Sequence, residues 1–358
     1  MGDETPAAAL VPPYPVRRNP GAAAAREHGL RWARATGLLG GAEAGFALWD
    51  EEDFAGFDLP GFAALVHPDA RGDLLELVTD WYVWSWYLDD LLLERFKRPR
   101  DAAGARRFLA RLAEFAGDRP PAGPADPAER GLADLWRRTT AARPAGWRSR
   151  LKGCVPNLLD DALWEIDNLC RGQVPDPADY LQMRRAAGGA PWAAQLVEYV
   201  LGVELPEELV GSTPVQRLHD AFADVVDLHN DLVSYRRETE YEQEISNAVV
   251  VWRHFLGGGA GEAAQSVRRL LEARLRLFDR LATVDVPAHL AATGAGPAVL
   301  RGTARYLAGL RDWLAGDYQW HRETDRYRPA SWQRTRPAAT GWAAGPRGLG
   351  TSAARLRR

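Results

Sequence analysis

Cysteine is nearly missing: Cys154 and Cys170 are the only two in 358 residues. So few exclude a disulfide framework, and the pair has no metal-ligand spacing, so a reducing compartment is expected. An excess of charge of one sign is missing too. The 45 Lys and Arg face 48 Asp and Glu, a net charge of −3, so there is no basic footprint for nucleic acid. No long apolar run occurs. The most apolar stretch, Trp81 to Leu93, follows Asp80 and is broken by Asp89 and Asp90, well short of the roughly 18 residues of a membrane span. The acidic start, Met1-Gly2-Asp3-Glu4, is unlike a secretory leader, which is basic and then apolar. A cytoplasmic protein without a membrane span is expected. Alternating β-branched runs closed by Asn-Gly or Asp-Gly turns are also lacking, which argues against a sheet.

Tryptophan is abundant, at 14. Large aromatics are core residues by default, but a surplus of π-faces also suits a cavity for something apolar, flat or cationic. From about Ala23 onward the pattern is helical nearly throughout. It places helices at about 70–97, 103–116, 127–141, 144–171, 177–201, 214–238, 244–255, 261–282 and 296–322. Pro and Gly clusters separate them, and Asp176-Pro177 is a helix start with a cap and Pro at the first position. The expected fold is all-α, one large domain over 26–328. A Pro-rich arm (1–25) and an irregular tail (329–358) flank it, the arm capping the mouth of the domain.

Three constellations carry chemistry. Asp89, Asp90 and Glu94 crowd the last turns of a helix that must stop by Pro99. There each carboxylate opposes the helix dipole, and Asp90 repels Glu94 four residues on. A hard divalent cation such as Mg²⁺ removes that conflict; the bland alternative is a solvated helix end helped by Arg95, Lys97 and Arg98. Asn230, Ser234 and Glu238 recur every four residues, so amide, hydroxyl and carboxylate oxygens share one helical face. Arg184-Arg185 precedes Gly188-Gly189 and Pro191, a break inside a helical pattern, and Arg326-Tyr327 closes a C-terminal helix. Arginine offers forked donors to phosphate oxygens. Together these suggest a multi-Mg²⁺ site for a diphosphate above an aromatic cavity. Counting back from Asp89 puts Trp86, Ser85 and Tyr82 deeper in that cavity, with Trp320 as the C-terminal aromatic.

With these motifs the chain resembles bacterial class I terpene synthases. It resembles most the germacradienol-forming, N-terminal half of geosmin synthases, through Thr79-Asp80-Trp81-Tyr82-Val83-Trp84, Met183-Arg184-Arg185, Gly188-Gly189-Ala190-Pro191-Trp192, Leu196-Val197-Glu198-Tyr199, Asn230-Asp231-Leu232 and Thr351-Ser352-Ala353-Ala354. Leu91 and Leu92 stand where that branch usually carries His and Phe, and geosmin itself is not expected. The resemblance implies an α-helical barrel, three Mg²⁺ ions and metal-triggered loss of diphosphate from a linear isoprenoid. It implies Asp89, Asp90 and Glu94, with Asn230, Ser234 and Glu238, as the metal residues. Arg184 would sense the diphosphate, joined by Ala187 to Gly188, whose carbonyl helps ionisation. Arg237, Arg326 and Tyr327 would also hold the diphosphate.

The expected activity is therefore cyclisation of farnesyl diphosphate to a sesquiterpene hydrocarbon or alcohol, with Trp86 and Trp320 facing the cation. A diterpene cyclase using geranylgeranyl diphosphate is the nearest alternative. A chain-elongating prenyltransferase would carry a second Asp-rich motif, and a non-catalytic helical binding protein would not need all three site elements. A homodimer is compatible with the sequence.

Overall fold

The computed structural model describes residues 11–40, 48–117, 120–121, 123–124, 126–141, 143–187 and 189–332. Gly188 and the tail beyond Trp332, with Thr351-Ser352-Ala353-Ala354, lie outside them. The described residues form helices α1 (Ala22–Thr36), α2 (Glu51–Phe57), α3 (Leu59–Val66), α4 (Gly72–Leu92), α5 (Ala102–Glu114), α6 (Pro127–Thr140), α7 (Ala145–Arg171) and α8 (Pro177–Ala187). They continue as α9 (Gly189–Val200), α10 (Glu207–Val210), α11 (Thr213–Arg237), α12 (Ala248–Leu256), α13 (Ala260–Arg280), α14 (Val286–Ala292), α15 (Pro297–Glu323) and α16 (Pro329–Trp332). The only extended pairing among the described residues is a single bridge between Leu39 and Trp49. No helix there is long and apolar enough to cross a membrane.

Local signals account for most boundaries. Asp126 and Glu129 form a capping box ahead of Pro127 at the start of α6, and the Asp101 carboxylate accepts from the Gly104 amide to open α5. Asp176 accepts from the Ala178 amide at 2.8 Å, opening α8 as its position before Pro177 predicts. Helices α1, α7 and α12 stop at Gly37, Gly172 and Gly257, all with positive φ. Of the continuous helix expected over 177–201, Pro177–Ala187 and Gly189–Val200 are described as helical, and Gly188 between them lies outside the described residues. Short α2, α3 and α14 were not separable from the general helical pattern, because each is under two and a half turns.

Two boundaries matter for the site. Helices α4 and α11 do not end where their hydrogen bonds first loosen. Each runs into one π-helical turn, Leu93–Lys97 and Glu238–Glu242 respectively. A π turn carries an extra residue per turn and re-aims the side chains that follow it, and such turns recur at functional sites.

Six helices, α4, α7, α8, α9, α11 and α15, supply most of the wall of one cavity of about 240 Å³. Close approach of α15 to α3 needs Gly316: a Cβ there would lie 2.5 Å from the Leu65 carbonyl oxygen. The tryptophan surplus divides between core and cavity. Trp49, Trp81, Trp84, Trp147 and Trp320 are wholly buried in the walls, with Trp81 donating to Thr139 Oγ1 at 2.8 Å and Trp84 to the Ala128 carbonyl at 2.9 Å. Trp86, Trp192 and Trp313 reach the cavity.

The arm is shorter than the sequence suggests, because α1 already begins at Ala22. Its described part is pinned across the fold. Tyr14 donates to Asp279 at 2.5 Å, Arg17 pairs with Asp69 and Asp312, and Arg18 pairs with Glu323 near the end of α15. Asn19 donates to the carbonyls of His67 and Ala70.

Candidate active site

Asp89 and Asp90, side by side at the end of α4, have opposite environments. Asp89 lines the cavity, with its side chain 54% exposed and Arg326 Nη2 at 3.2 Å. Asp90 is buried in the wall. It accepts from Arg237 Nη2 at 2.6 Å, from Arg326 Nη1 and Nη2 at 2.8 and 2.9 Å, and from Trp49 Nε1 at 2.7 Å. Burial works against its charge, but Arg326 and Arg237 overcome it and hold the carboxyl well below the usual carboxylate range. Glu94 also lies outside the cavity lining, and its Oε1 accepts from Arg98 Nε at 2.8 Å.

Across the cavity α11 presents Asn230, and Glu238 follows eight residues on, at the first position of the π turn. Asn230 Nδ2 donates to Tyr327 Oη at 3.2 Å, leaving its amide oxygen free of that contact. Ser234 is buried behind them, its hydroxyl donating to the Asn230 carbonyl at 2.7 Å. Glu238 accepts from Asn247 Nδ2 at 2.9 Å. Burial above all, then Asp231 and Glu242, push its carboxyl well above the ordinary range.

Four arginine and tyrosine side chains of the sequence reading converge here. Arg237 bridges Asp90 and Glu242 and donates to the Arg326 carbonyl at 3.3 Å. Tyr327 stacks on His321, ring centroids 5.2 Å apart and planes 16° apart. Arg184, at the end of α8, is surrounded by Asp161 at 3.3 Å, Glu165 at 3.5 Å, Asp231 at 3.6 Å and Asp227 at 3.9 Å. Arg185 turns away, bound to Asp224.

Below this rim the lining is aromatic and aliphatic. Trp86 lines it with Tyr82, Ser85, Leu88 and Leu92 of α4, joined by Trp192, Ala193, Val226 and Trp313, with Asp227 and Asp317 also on the lining. Edge-to-face contacts hold these rings: Tyr82 to Trp192 at 5.4 Å and Tyr82 to Trp86 at 6.2 Å. The placement of Trp320 corrects the sequence reading. Its indole N–H is drawn to the Phe57 carbonyl at 2.8 Å, so the ring packs behind Trp86, at 5.4 Å, and not on the cavity. Trp313, two turns earlier on the same helix, takes that place.

The cavity lining counts nine carboxyl groups against four cationic side chains. Such an excess of buried negative charge is costly unless cations join it or protons stay bound. Asp89, Asn230 and Glu238 offer carboxylate and amide oxygens, the set a hard divalent ion selects, beside the His321 imidazole 3.3 Å from Asn230 Nδ2. Mg²⁺ therefore fits the residues present.

A model described as "Terpene synthase family 2, C-terminal metal binding" matches residues 80–276. Pristinol synthase of Streptomyces pristinaespiralis is 31% identical over 322 residues, covering 89% of this chain and 84% of that one. The chain belongs to the terpene synthase family. The (+)-T-muurolol synthase ((2E,6E)-farnesyl diphosphate cyclizing) of Roseiflexus castenholzii is 26% identical over 75% of this chain and 79% of its own. Among solved structures, germacradien-4-ol synthase from Streptomyces citricolor superposes with a TM-score of 0.75 at 25% identity, covering 89% of this chain and 100% of that one. The all-α class I terpenoid synthase fold, expected from the sequence, is thus the fold observed, and the protein is a metal-dependent enzyme of this family. The matched region holds Asp89 through Glu238 but stops before Arg326-Tyr327, which the end of α15 brings to the rim.

Several lining residues escaped the sequence reading. Lys97, 5% exposed, sits between Glu165 at 2.8 Å and Glu244 at 2.7 Å. Burial, reinforced by Asp161 and Glu244 and opposed by Lys97, pushes Glu165 up from 4.5 to about 8. Lys97 holds Glu244 ionised, below its ordinary value, against its burial. At neutral pH Glu165 therefore carries a proton beside a Lys97–Glu244 pair. A carboxyl whose folded pKa is raised stabilises the fold fully below its unfolded value and loses that contribution as pH rises towards the folded one. Thermal stability should accordingly fall between pH 4.5 and about 8, and Glu165→Gln should make that fall shallower. Melting curves across that range measure it; an unchanged slope would mean that Glu165 is ionised throughout. The Asp161/Glu165 and Asp227/Asp231 spacings of four were the available signal, but like charges at that spacing also mark solvated faces.

Proposed function

We propose that the enzyme binds farnesyl diphosphate with three Mg²⁺ ions, ionises it and cyclises the resulting cation to a sesquiterpene, with release of diphosphate. The observation that carries this reading is the facing of Asp89 against Asn230 and Glu238 over an aromatic cavity, beside Arg184, Arg237, Arg326 and Tyr327. The cyclisation of farnesyl diphosphate named for the Roseiflexus relative supports the fifteen-carbon substrate.

In this reading Asp89, Asn230 and Glu238 hold the ions directly. Ser234 supports Glu238, Asp90 acts through Arg237 and Arg326, and Glu94 holds Arg98 outside the lining. When bound, Mg²⁺ supplies electrostatic stabilisation of the departing diphosphate oxygens. Arg326 and Arg237 meet those oxygens as a pre-aligned pair, because Asp90 already orients both guanidinium groups. Such donors cost no reorganisation when charge develops. Arg184 approaches from the opposite wall; the part in ionisation that the resemblance gives the Gly188 carbonyl falls on a residue outside those described. Tyr82, Trp86, Trp192 and Trp313 exclude water and offer π-faces to the cation. The finer kinship with the germacradienol-forming branch, through Met183-Arg184-Arg185 and Pro191-Trp192, a cytoplasmic location and a homodimer belong to the same proposal.

The test is incubation with ten-, fifteen- and twenty-carbon linear diphosphates and Mg²⁺, with products read by gas chromatography–mass spectrometry. Cyclic fifteen-carbon products are expected. Turnover confined to the twenty-carbon substrate would favour the diterpene alternative, and open-chain elongation products would favour a prenyltransferase.

A further inference from the structure

Asp227 lies on α11, three residues before Asn230, and so about 4.5 Å further down the helix from the rim. It lines the cavity, its side chain 9% exposed. The other acids near Arg184 each accept at least one hydrogen bond, Asp161 from Arg184 itself at 3.3 Å. Asp231 accepts from Tyr180 at 2.5 Å and from the Ala248 amide at 3.0 Å; Glu165 holds Lys97; Asp224 holds Arg185 and Arg274. Asp227 has no such donor. Its nearest, Arg184 Nη2, is 3.9 Å from Oδ1, beyond hydrogen-bond range, and Oδ2 has no partner.

A buried carboxyl without donors is far better off neutral. Burial pushes Asp227 well above the carboxylate range, with Asp231, Asp161 and Asp224 adding repulsion and Arg184 alone opposing them. Among the described acids around Arg184, Asp227 is thus the one without a donor in hydrogen-bond range, and it lies about one helical turn below Asn230 at the rim.

We propose that Asp227 is a proton donor to the bound isoprenoid, reprotonating a neutral cyclised polyene formed beneath the diphosphate. The proposal rests on the cyclase reading above. The first cation loses a proton from carbon to the departed diphosphate, leaving a neutral polyene. The Asp227 O–H bond then breaks, and its proton joins an alkene π pair in a new C–H bond. The other alkene carbon becomes cationic, while Asp227 becomes a carboxylate facing Arg184. Loss of a proton from a neighbouring carbon to Asp227 forms the final double bond and restores the acid. No oxidant or further reactant is needed.

Turnover of farnesyl diphosphate with Mg²⁺ in D₂O tests this. The wild-type product should carry one carbon-bound deuterium. Asp227→Asn should still release diphosphate but yield the unprotonated polyene, free of carbon-bound deuterium, and Asp227→Glu should restore uptake, a split that packing alone does not give. If Asp227→Asn does not fold, Asp227→Gln against Asp227→Glu makes the same comparison. No carbon-bound deuterium in the wild-type product overturns the proposal, as does full uptake in Asp227→Asn or loss of diphosphate release in that folded variant. No diphosphate release by the wild type is a different result, and sinks the cyclase reading itself.

Discussion

Asp89→Asn and Asp90→Asn, neighbours in the chain, should fail in opposite ways. Asp89 is half exposed, and its salt-bridge partner Arg326 keeps Asp90 at 2.8 Å when Asp89 loses its charge. Its loss should leave the melting temperature unchanged and lower turnover by on the order of 100-fold, about 2.7 kcal/mol of transition-state stabilisation. Asp90 neutralises two buried guanidinium groups at once. Removing one partner of a buried ion pair costs about 3–5 kcal/mol, offset here only in part by Glu242 on Arg237 and Asp89 on Arg326. Asp90→Asn should therefore unfold at markedly lower temperature and lose activity because Arg237 and Arg326 are no longer aligned. Melting curves and turnover on both variants give the comparison. Equal melting temperatures would mean that the arginine cluster does not depend on Asp90.

The second large effect concerns Glu238. It is half-buried, and desolvation with Asp231 and Glu242 nearby raises its carboxyl well above 4.5. The sign follows from linkage: a raised acid supports the fold while protonated, and that support fades as pH climbs through its folded value. Glu238→Gln has no proton to lose and keeps an acceptor for Asn247. Without metal at pH 8 it should melt no lower than the wild type, and its turnover should fall on the order of 1,000-fold, about 4 kcal/mol. Asn230→Ala should likewise lose turnover with little loss of stability. Unchanged turnover with a lowered melting temperature would show that the two residues serve packing and not the metal rim.

Much of this site was legible because helix geometry is periodic. Asn230 and Glu238 share a face, and the structure places both on the cavity. Adjacent residues were harder. Asp89 and Asp90 are about 100° apart around a helix, and nothing local says which of them faces the cavity. That depends on Arg237 and Arg326, 147 and 236 residues away in sequence. Trp313 and Trp320 share a stripe, so only the pull of the Phe57 carbonyl on one indole separates lining from wall. The acids around Arg184 come from α7 and α11, a meeting that tertiary packing alone brings about.

The most direct measurement is diphosphate release from farnesyl diphosphate by the purified chain, with Mg²⁺ and with a chelator in its place. A metal-dependent cyclase built on this rim should release diphosphate only with Mg²⁺ and lose that release in Glu238→Gln. Release that persists in chelator, or no release with Mg²⁺ from any of the three linear diphosphates, would contradict it.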